Sequence, residues 1–358
     1  MHSLNRRAWV DIDLGALLRN GEQLKKRANA PLLPMVKADA YGLGAERVAR
    51  KLESLDPWGF GVATIAEAEQ LRAVAIKRPI VIFTPILPGD FDAALRAHVT
   101  PTLGDAAAIA RWAETGRPWQ LAIDTGMNRA GVRWDEIDCL LDAIAAYPPQ
   151  GAFTHFHSAE KNDASRTAQE ERFAAALARL PVRPAMIHAE NSPAIEHRGP
   201  SPWTVARPGI FLYGVGTDSD AVTPEPVASL RARIVDLRTV RDGETVSYSG
   251  TYRVDGDRLV ATLAIGYGDG YRRALSNRGS VLVSGVRVPV IGNVTMDMTM
   301  IDVTDVPCAI GDVATLIGAD GDDHIDVREV AAFGEISPYE VLTSLRGRLP
   351  RRYIGGDE

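Results

Sequence analysis

The chain of 358 residues carries two cysteines, Cys139 and Cys308, far apart in sequence. That excludes a disulfide framework and argues against a cysteine metal site. No uninterrupted apolar run reaches the ~18–20 residues of a transmembrane helix. Positive charge is not in excess: 40 Lys and Arg stand against 46 Asp and Glu, a net charge of −6. A general nucleic-acid binder needs a basic face, and the one basic cluster, Arg346–Arg352, reads as solvated surface. The start, Met1-His2-Ser3-Leu4-Asn5-Arg6-Arg7, runs directly into Trp9-Val10-Asp11-Ile12-Asp13, without the apolar region of a signal peptide. The expected compartment is the cytoplasm. There is no internal repeat and no low-complexity tract. What remains is an ordinary globular composition, 46% hydrophobic and 24% charged. It suffices for one large or two medium domains.

Short apolar runs alternate with helical patterns over the first two thirds. Leu32–Lys37, Gly59–Ala63, Ile80–Thr84, His98–Leu103, Trp119–Asp124, Gly151–Phe156, Ala185–Ala189 and Trp203–Arg207 read as strands. Between them, Ala45, Val48, Ala49 and Leu52 follow the helical spacing i, i+3, i+4, i+7, as do Phe173, Ala176, Leu177 and Leu180. So do Ile137, Leu140, Leu141, Ile144 and Ala145. Such a series fits a (β/α)8 barrel, with a doubly wound open sheet as the alternative. The pattern changes at Thr223-Pro224-Glu225-Pro226, where proline disfavours helix. Beyond it, β-rich runs broken by Gly and Asp predict a second, mainly β domain. The expected division is an α/β barrel over residues 8–225 and a β domain over residues 226–358, with residues 1–7 pairing to the latter.

A barrel presents its chemistry at the C-terminal ends of its strands. Those ends carry Lys37, Thr84, Asp124 with Arg129 beyond it, His155, Asn191-Ser192, and Arg207 with Gly209. The set is cationic and hydrogen-bonding. It lacks the paired carboxylates of most glycosidases. No convincing metal site accompanies them, and His155 and His157 are not read as a ligand pair. A lysine closing an apolar strand is either a charge reaching the barrel rim or a Schiff-base lysine whose proton affinity is lowered by burial or a nearby cation. Tyr41 follows, between Lys37 and the glycines Gly42 and Gly44. Exposed amides at such a helix entry attract phosphate.

Val36-Lys37-Ala38-Asp39-Ala40-Tyr41-Gly42 resembles the cofactor-lysine motif of the alanine racemases, barrel-type pyridoxal-phosphate enzymes. The resemblance continues in order through Asp124-Thr125-Gly126-Met127-Asn128-Arg129, Thr154-His155-Phe156, Asn191-Ser192, Arg207-Pro208-Gly209-Ile210, Val246-Ser247-Tyr248, Ile265-Gly266-Tyr267-Gly268-Asp269-Gly270, Met296-Asp297 and Tyr339-Glu340-Val341-Leu342. It spans nearly the whole chain. It implies a (β/α)8 barrel plus β domain, pyridoxal 5'-phosphate on Lys37, and interconversion of L- and D-alanine for peptidoglycan. Lys37 and Tyr248 are then the two opposed acid–base groups, the lysine serving the D-enantiomer and the tyrosine the L-enantiomer. Arg207 faces the cofactor ring nitrogen, where it can donate but not accept a proton. His155 and Asn191 belong to the cofactor site. Tyr41, Ser192 and the amides of Gly209 and Ile210 are expected at the phosphate. Arg129 and the amide of Met296 are expected at the substrate carboxylate, and Tyr267 at the entrance. The resemblance also implies a head-to-tail homodimer with shared sites, and neither nucleic acid nor membrane as partner.

Three positions depart from the family pattern. Many members carry a carbamylated lysine where this chain has Ala122, so another group must balance Arg129. Gly347 precedes Arg348-Leu349-Pro350-Arg351 where a tyrosine at the phosphate was expected, so that contact reads as missing. Thr295 stands where a cysteine often precedes the methionine. The enzymatic alternative is a broad-specificity amino-acid racemase with a pocket enlarged at Gly347. The non-enzymatic one is a pyridoxal-phosphate carrier, a class built as a single barrel without the β domain.

Overall fold

The computed structural model describes residues 7–161, 163–217, 222–345 and 347–356. Residues 1–6 of the N-terminal segment and Arg346 of the basic cluster lie outside them. The strands that matter below are β1 (Ala8–Asp13), β2 (Phe60–Val62), β3 (Ile80–Ile82), β4 (Thr100–Leu103), β5 (Gln120–Asp124), β6 (Val132–Arg133), β7 (Gly151–Phe153), β8 (Met186–His188) and β9 (Ala228–Val240).

β2, β3, β4, β5, β7 and β8 pair in that order, all parallel. Two extended segments close the ring. Ala206 N–H donates to Pro31 O at 3.0 Å, and Leu33 N–H donates to Ala206 O at 2.8 Å. Gly61 N–H donates to Pro34 O at 2.9 Å, and Thr204 N–H donates to Ile187 O at 2.9 Å. These segments form isolated bridges instead of full strands, at Leu32–Ala206 and Met35–Gly61. Pro31, Pro34 and Pro208 have no N–H to give to a ladder, which accounts for the interruption. The eight-part barrel is therefore present, with six regular strands. Parallel strands covered on both faces are apolar throughout, and Ile80, Val81 and Ile82 are all fully buried.

The outer helices bury the stripes read from the sequence. Ala45, Val48, Ala49 and Leu52 all face inward on the helix Ala45–Leu52. Phe173, Ala176 and Leu177 do so on Ser165–Arg179. Each fully buried large aliphatic or aromatic side chain contributes about 1.5–3 kcal/mol. The 137–145 stretch splits into a 3-10 turn, Ile137–Leu140, and a short helix, Leu141–Ala146.

β9 is the hub of the second sheet. It pairs antiparallel with β1, with Arg258–Leu263 and with Val313–Asp320. β1 also pairs in parallel with the last strand, Arg351–Ile354. Thus residues 8–13 join the β sheet, although they precede the barrel in sequence. Asp11 fixes this junction, accepting from Arg352 at 2.6 Å and from Arg231 at 3.3 Å. The linker is pinned by Asn20, which is fully buried. Its Nδ2 donates to Glu225 O at 2.9 Å, and its Oδ1 accepts from Glu225 N–H at 2.7 Å.

Candidate active site

Lys37 does not continue a strand. It opens a turn, Lys37–Tyr41, in which Ala38, Asp39, Ala40 and Tyr41 take φ of 52°, 57°, 53° and 56°. Four consecutive non-glycine residues thus lie in the left-handed region, at a cost on the order of 1–2 kcal/mol each. Hydrogen bonds hold the turn. Ala40 N–H donates to Val36 O at 2.8 Å, and Gly42 N–H donates to Ala38 O at 2.9 Å. Asp39 accepts from Ala45 N–H at 2.8 Å and from Arg351 at 2.6 Å. Ala38 N–H donates to Glu67 at 2.7 Å. The turn places Lys37 and Tyr41 in one cavity of about 370 Å3 at the C-terminal ends of the barrel strands, together with Arg129, His155, Asn191, Ser192, Arg207, Gly209 and Ile210. Burial lowers the Lys37 pKa, as do the Arg129 and Arg207 guanidinium groups, while Glu67 opposes them.

Arg207 forms the floor. Its Nη1 donates to His188 O at 2.8 Å and to His188 Nδ1 at 2.6 Å. Its Nη2 donates to Thr154 O at 2.7 Å, to Ala189 O at 3.1 Å and to His155 Nδ1 at 3.4 Å. The guanidinium carbon lies 5.5 Å from the Phe83 ring centroid and 5.2 Å from that of Phe153, within cation–π range. The Nε–H has no protein acceptor among the described residues. Burial pulls the Arg207 pKa down to about 9, so it stays charged at neutral pH. His188 is fully buried, and burial with Arg207 beside it holds its pKa well below the usual value. Its Nδ1 accepts from Arg207, so the proton of the neutral ring sits on Nε2, 3.2 Å from Gln120 Oε1. His155 is likewise neutral, its pKa lowered to about 3 by burial and by Arg207, Arg129 and Lys37.

At the other end of the cavity, Ser192 Oγ accepts from Gly209 N–H at 2.9 Å and from Phe211 N–H at 3.3 Å. A Cβ at Gly209 would meet Tyr41 Oη at 2.5 Å, so only glycine permits this approach. Asn191 caps the helix Ser192–Arg198, its Oδ1 accepting from Ala194 N–H at 3.2 Å. Tyr41 stacks on Tyr213, with ring centroids 4.6 Å apart. The sequence reading missed Tyr339, which lines the cavity 5.8 Å from Tyr41 and whose pKa burial pushes up to about 12. Gly347 does not line the cavity, and a second tyrosine, Tyr339, stands beside Tyr41. Its signal was in the sequence, in Tyr339-Glu340-Val341-Leu342. His188 was also missed, since only the folded barrel shows that it faces Arg207.

Arg129 is presented by a turn anchored on Asp124 Oδ1, which accepts from Gly126 N–H at 2.9 Å and from Asn128 N–H at 3.1 Å. Its guanidinium makes no hydrogen bond or ion pair to protein among the described residues. A second cavity of about 40 Å3 separates it from the buried Ala122. Tyr248, Tyr267 and Met296 do not reach the barrel cavity of their own chain. They are exposed on the β domain, at 71%, 43% and 54%. Their loops are tied together: Gly268 N–H donates to Met296 O at 2.9 Å, and Asn293 Nδ2 donates to Tyr248 O at 2.8 Å. Tyr248 borders an open cleft of about 1050 Å3 that also includes Thr295 and Met298. No group of metal-ligating side chains occurs among the described residues. None of their helices is long and apolar enough to cross a membrane.

A barrel with a lysine-centred cavity at its strand ends and a C-terminal β domain defines a two-domain barrel enzyme. The profile of the alanine racemase N-terminal domain matches residues 12–217, and that of the C-terminal domain matches residues 227–353. The chain belongs to the alanine racemase family. It is 37% identical to an alanine racemase of Geobacter sp., over 98% of this chain and all of that one. It is 38% identical to that of Methylobacterium nodulans, over 98% and 96%. The fold matches the crystal structure of alanine racemase from Bartonella henselae with covalently bound pyridoxal phosphate, with a TM-score of 0.90, 29% identity and coverage of 98% and 100%. The structure from Bacillus anthracis matches with the same TM-score at 30% identity, over 98% and 96%.

Proposed function

We propose that this chain is a pyridoxal-phosphate-dependent alanine racemase that works in the cytoplasm as a head-to-tail homodimer and supplies D-alanine for peptidoglycan. The observation that carries this reading is the convergence of Lys37, His155 and Arg207 at one end of a single cavity with Tyr41, Ser192 and Gly209 at the other.

The cavity fits the cofactor. A volume of about 370 Å3 is in the range of small-ligand sites. Among the described residues the Nε–H of Arg207 has no acceptor and is available to a ring nitrogen, while the Tyr41 hydroxyl, brought close by Gly209, and Ser192 line the end suited to a phosphate. Lys37 would hold the aldehyde carbon. When bound, pyridoxal phosphate withdraws electrons from the α-carbon of an attached amino acid and so acidifies its C–H bond.

The chain supplies the rest. Racemisation moves a proton off one face of the α-carbon and returns one to the other, which requires two opposed groups. Lys37, its proton affinity lowered by burial and by Arg129, is one. Tyr248 from a second copy is the other; its exposure and its absence from the cavity of its own chain support that pairing. Arg207 donates without accepting, which restrains electron withdrawal and favours reprotonation at the substrate carbon. Arg129, without a hydrogen-bond or ion-pair partner among the described residues, is suited to the substrate carboxylate, with the amide of Met296 of the second copy as its companion. Tyr267, on the loop tied to that of Met296, narrows the entrance.

The test is the appearance of D-alanine from L-alanine with added pyridoxal phosphate, with L-serine and L-lysine in parallel to separate a selective from a broad racemase. Borohydride reduction and peptide mapping should place the pyridoxyl group on Lys37. Absence of D-alanine, with the label on another lysine, would refute the reading.

A further inference from the structure

We propose that Glu67 is a positioning residue: its two carboxylate oxygens clamp the left-handed turn that aims Lys37, and its charge faces the lysine against two guanidinium groups. The proposal rests on the reading that Lys37 is the cofactor lysine.

Glu67 lies in the first turn of the helix Ile65–Ala73, capped by Thr64, whose Oγ accepts from Glu67 N–H at 3.2 Å. Its carboxylate reaches beyond that cap. Oε1 accepts from Ala38 N–H at 2.7 Å, and Oε2 accepts from Ala63 N–H at 2.7 Å and Thr64 N–H at 3.2 Å. Ala38 is the first left-handed residue after the lysine. One side chain thus ties the start of the strained turn to the end of β2. Only a carboxylate can do this, because both ends must accept. A glutamine would satisfy one side and turn an NH2 donor against an N–H on the other. An aspartate is a methylene too short to keep the cap and reach Ala38.

The same carboxylate enters the electrostatics of Lys37. Arg129 and Arg207 favour the neutral amine, and Glu67 favours the ammonium. The other titratable groups lining the cavity are His155, held neutral, and Tyr41 and Tyr339, whose hydroxyls burial keeps protonated. Glu67 is therefore the acidic group that opposes the two arginines. It limits how far the amine pKa falls while its oxygens fix where the amine points.

The test uses the cofactor-free and the loaded full chain. In the cofactor-free protein, the rate of reductive methylation of Lys37 against pH, read by peptide mass spectrometry, gives the amine pKa directly. Equilibrium titration with pyridoxal phosphate gives affinity. For Glu67→Gln, the Lys37 pKa should fall below that of the wild type, and cofactor affinity should drop about tenfold, as for loss of one charge-assisted hydrogen bond. Glu67→Asp separates the two roles: affinity should drop similarly while the Lys37 titration stays near wild type. This second variant also decides the matter if the first does not fold. Unchanged affinity in both variants, with the pyridoxyl group still mapping to Lys37, overturns the proposal and leaves the cofactor assignment standing. A pyridoxyl group on another lysine in the wild type overturns the assignment itself.

Discussion

Arg207 is held by five acceptors from four residues, and its neighbour His188 must stay neutral to accept from it. That gives acid sensitivity a definite sign. The folded protein keeps His188 unprotonated, whereas the unfolded chain takes up a proton below about pH 6.5. Stability from this residue is complete above that pH and falls as pH falls, by about 1.4 kcal/mol per unit. Urea unfolding at pH 7 and pH 5 should show the wild type losing about 2 kcal/mol more than His188→Asn. His155 adds a second such contribution, between about pH 6.5 and its folded value of about 3. Arg207→Glu would turn a carboxylate toward the carbonyl oxygens of Thr154, His188 and Ala189. A loss of about 3–5 kcal/mol in denaturant unfolding is expected, ahead of any change in chemistry. Ala122 leaves no lysine to carbamylate at that position. Activity should therefore be the same in bicarbonate-free and bicarbonate-supplemented buffer; a dependence would show that another lysine takes that place.

The element that decides this site is the turn Lys37–Tyr41. It is squeezed between Glu67 on the barrel side and the helix Pro338–Ser344 on the β-domain side. A Cβ at Gly42, where φ is 88°, would lie 2.4 Å from Leu342 O, in the helix that carries Tyr339. Gly42→Ala should therefore push Tyr339 away from the cavity. A fall of about 1–3 kcal/mol in stability, with weaker pyridoxal phosphate binding by titration, is the expected outcome. The turn also explains why Leu32–Lys37 is not the strand its composition suggests. The apolar run is real, and Leu32, Leu33 and Val36 are buried. Pro34 within it and Pro31 before it interrupt the ladder, and the chain leaves the barrel in a left-handed conformation that no propensity rule assigns to Ala-Asp-Ala-Tyr.

Two groups of residues on which the proposal rests do not meet within one chain. Lys37 lies in the barrel cavity, whereas Tyr248, Tyr267 and Met296 sit exposed on the β domain. A two-fold dimer would bring one half of each copy to the other and make both sites equivalent. Mixing inactive Lys37→Ala and Tyr248→Ala chains under subunit exchange should then restore about a quarter of wild-type activity per site, since half the dimers are mixed and each has one intact site. Inactivity despite proven exchange would show that both residues serve a site within one chain.

The sequence alone determined the barrel rhythm, the change to β structure after Pro226 and the identity of the cationic groups at the strand ends. Those features are local: apolar spacing, proline placement and residue type at a strand terminus act within a few residues. That Arg6–Asp13 could pair with the β domain was legible in the sequence, but only the tertiary structure decided its partners and register, because Ala228–Val240 and Arg351–Ile354 lie more than two hundred residues away. It also decided that His188 serves Arg207, that Tyr339 stands beside Tyr41 and that Glu67 grips Ala38. Each is a contact between distant segments whose geometry depends on barrel closure, and periodicity carries no record of it.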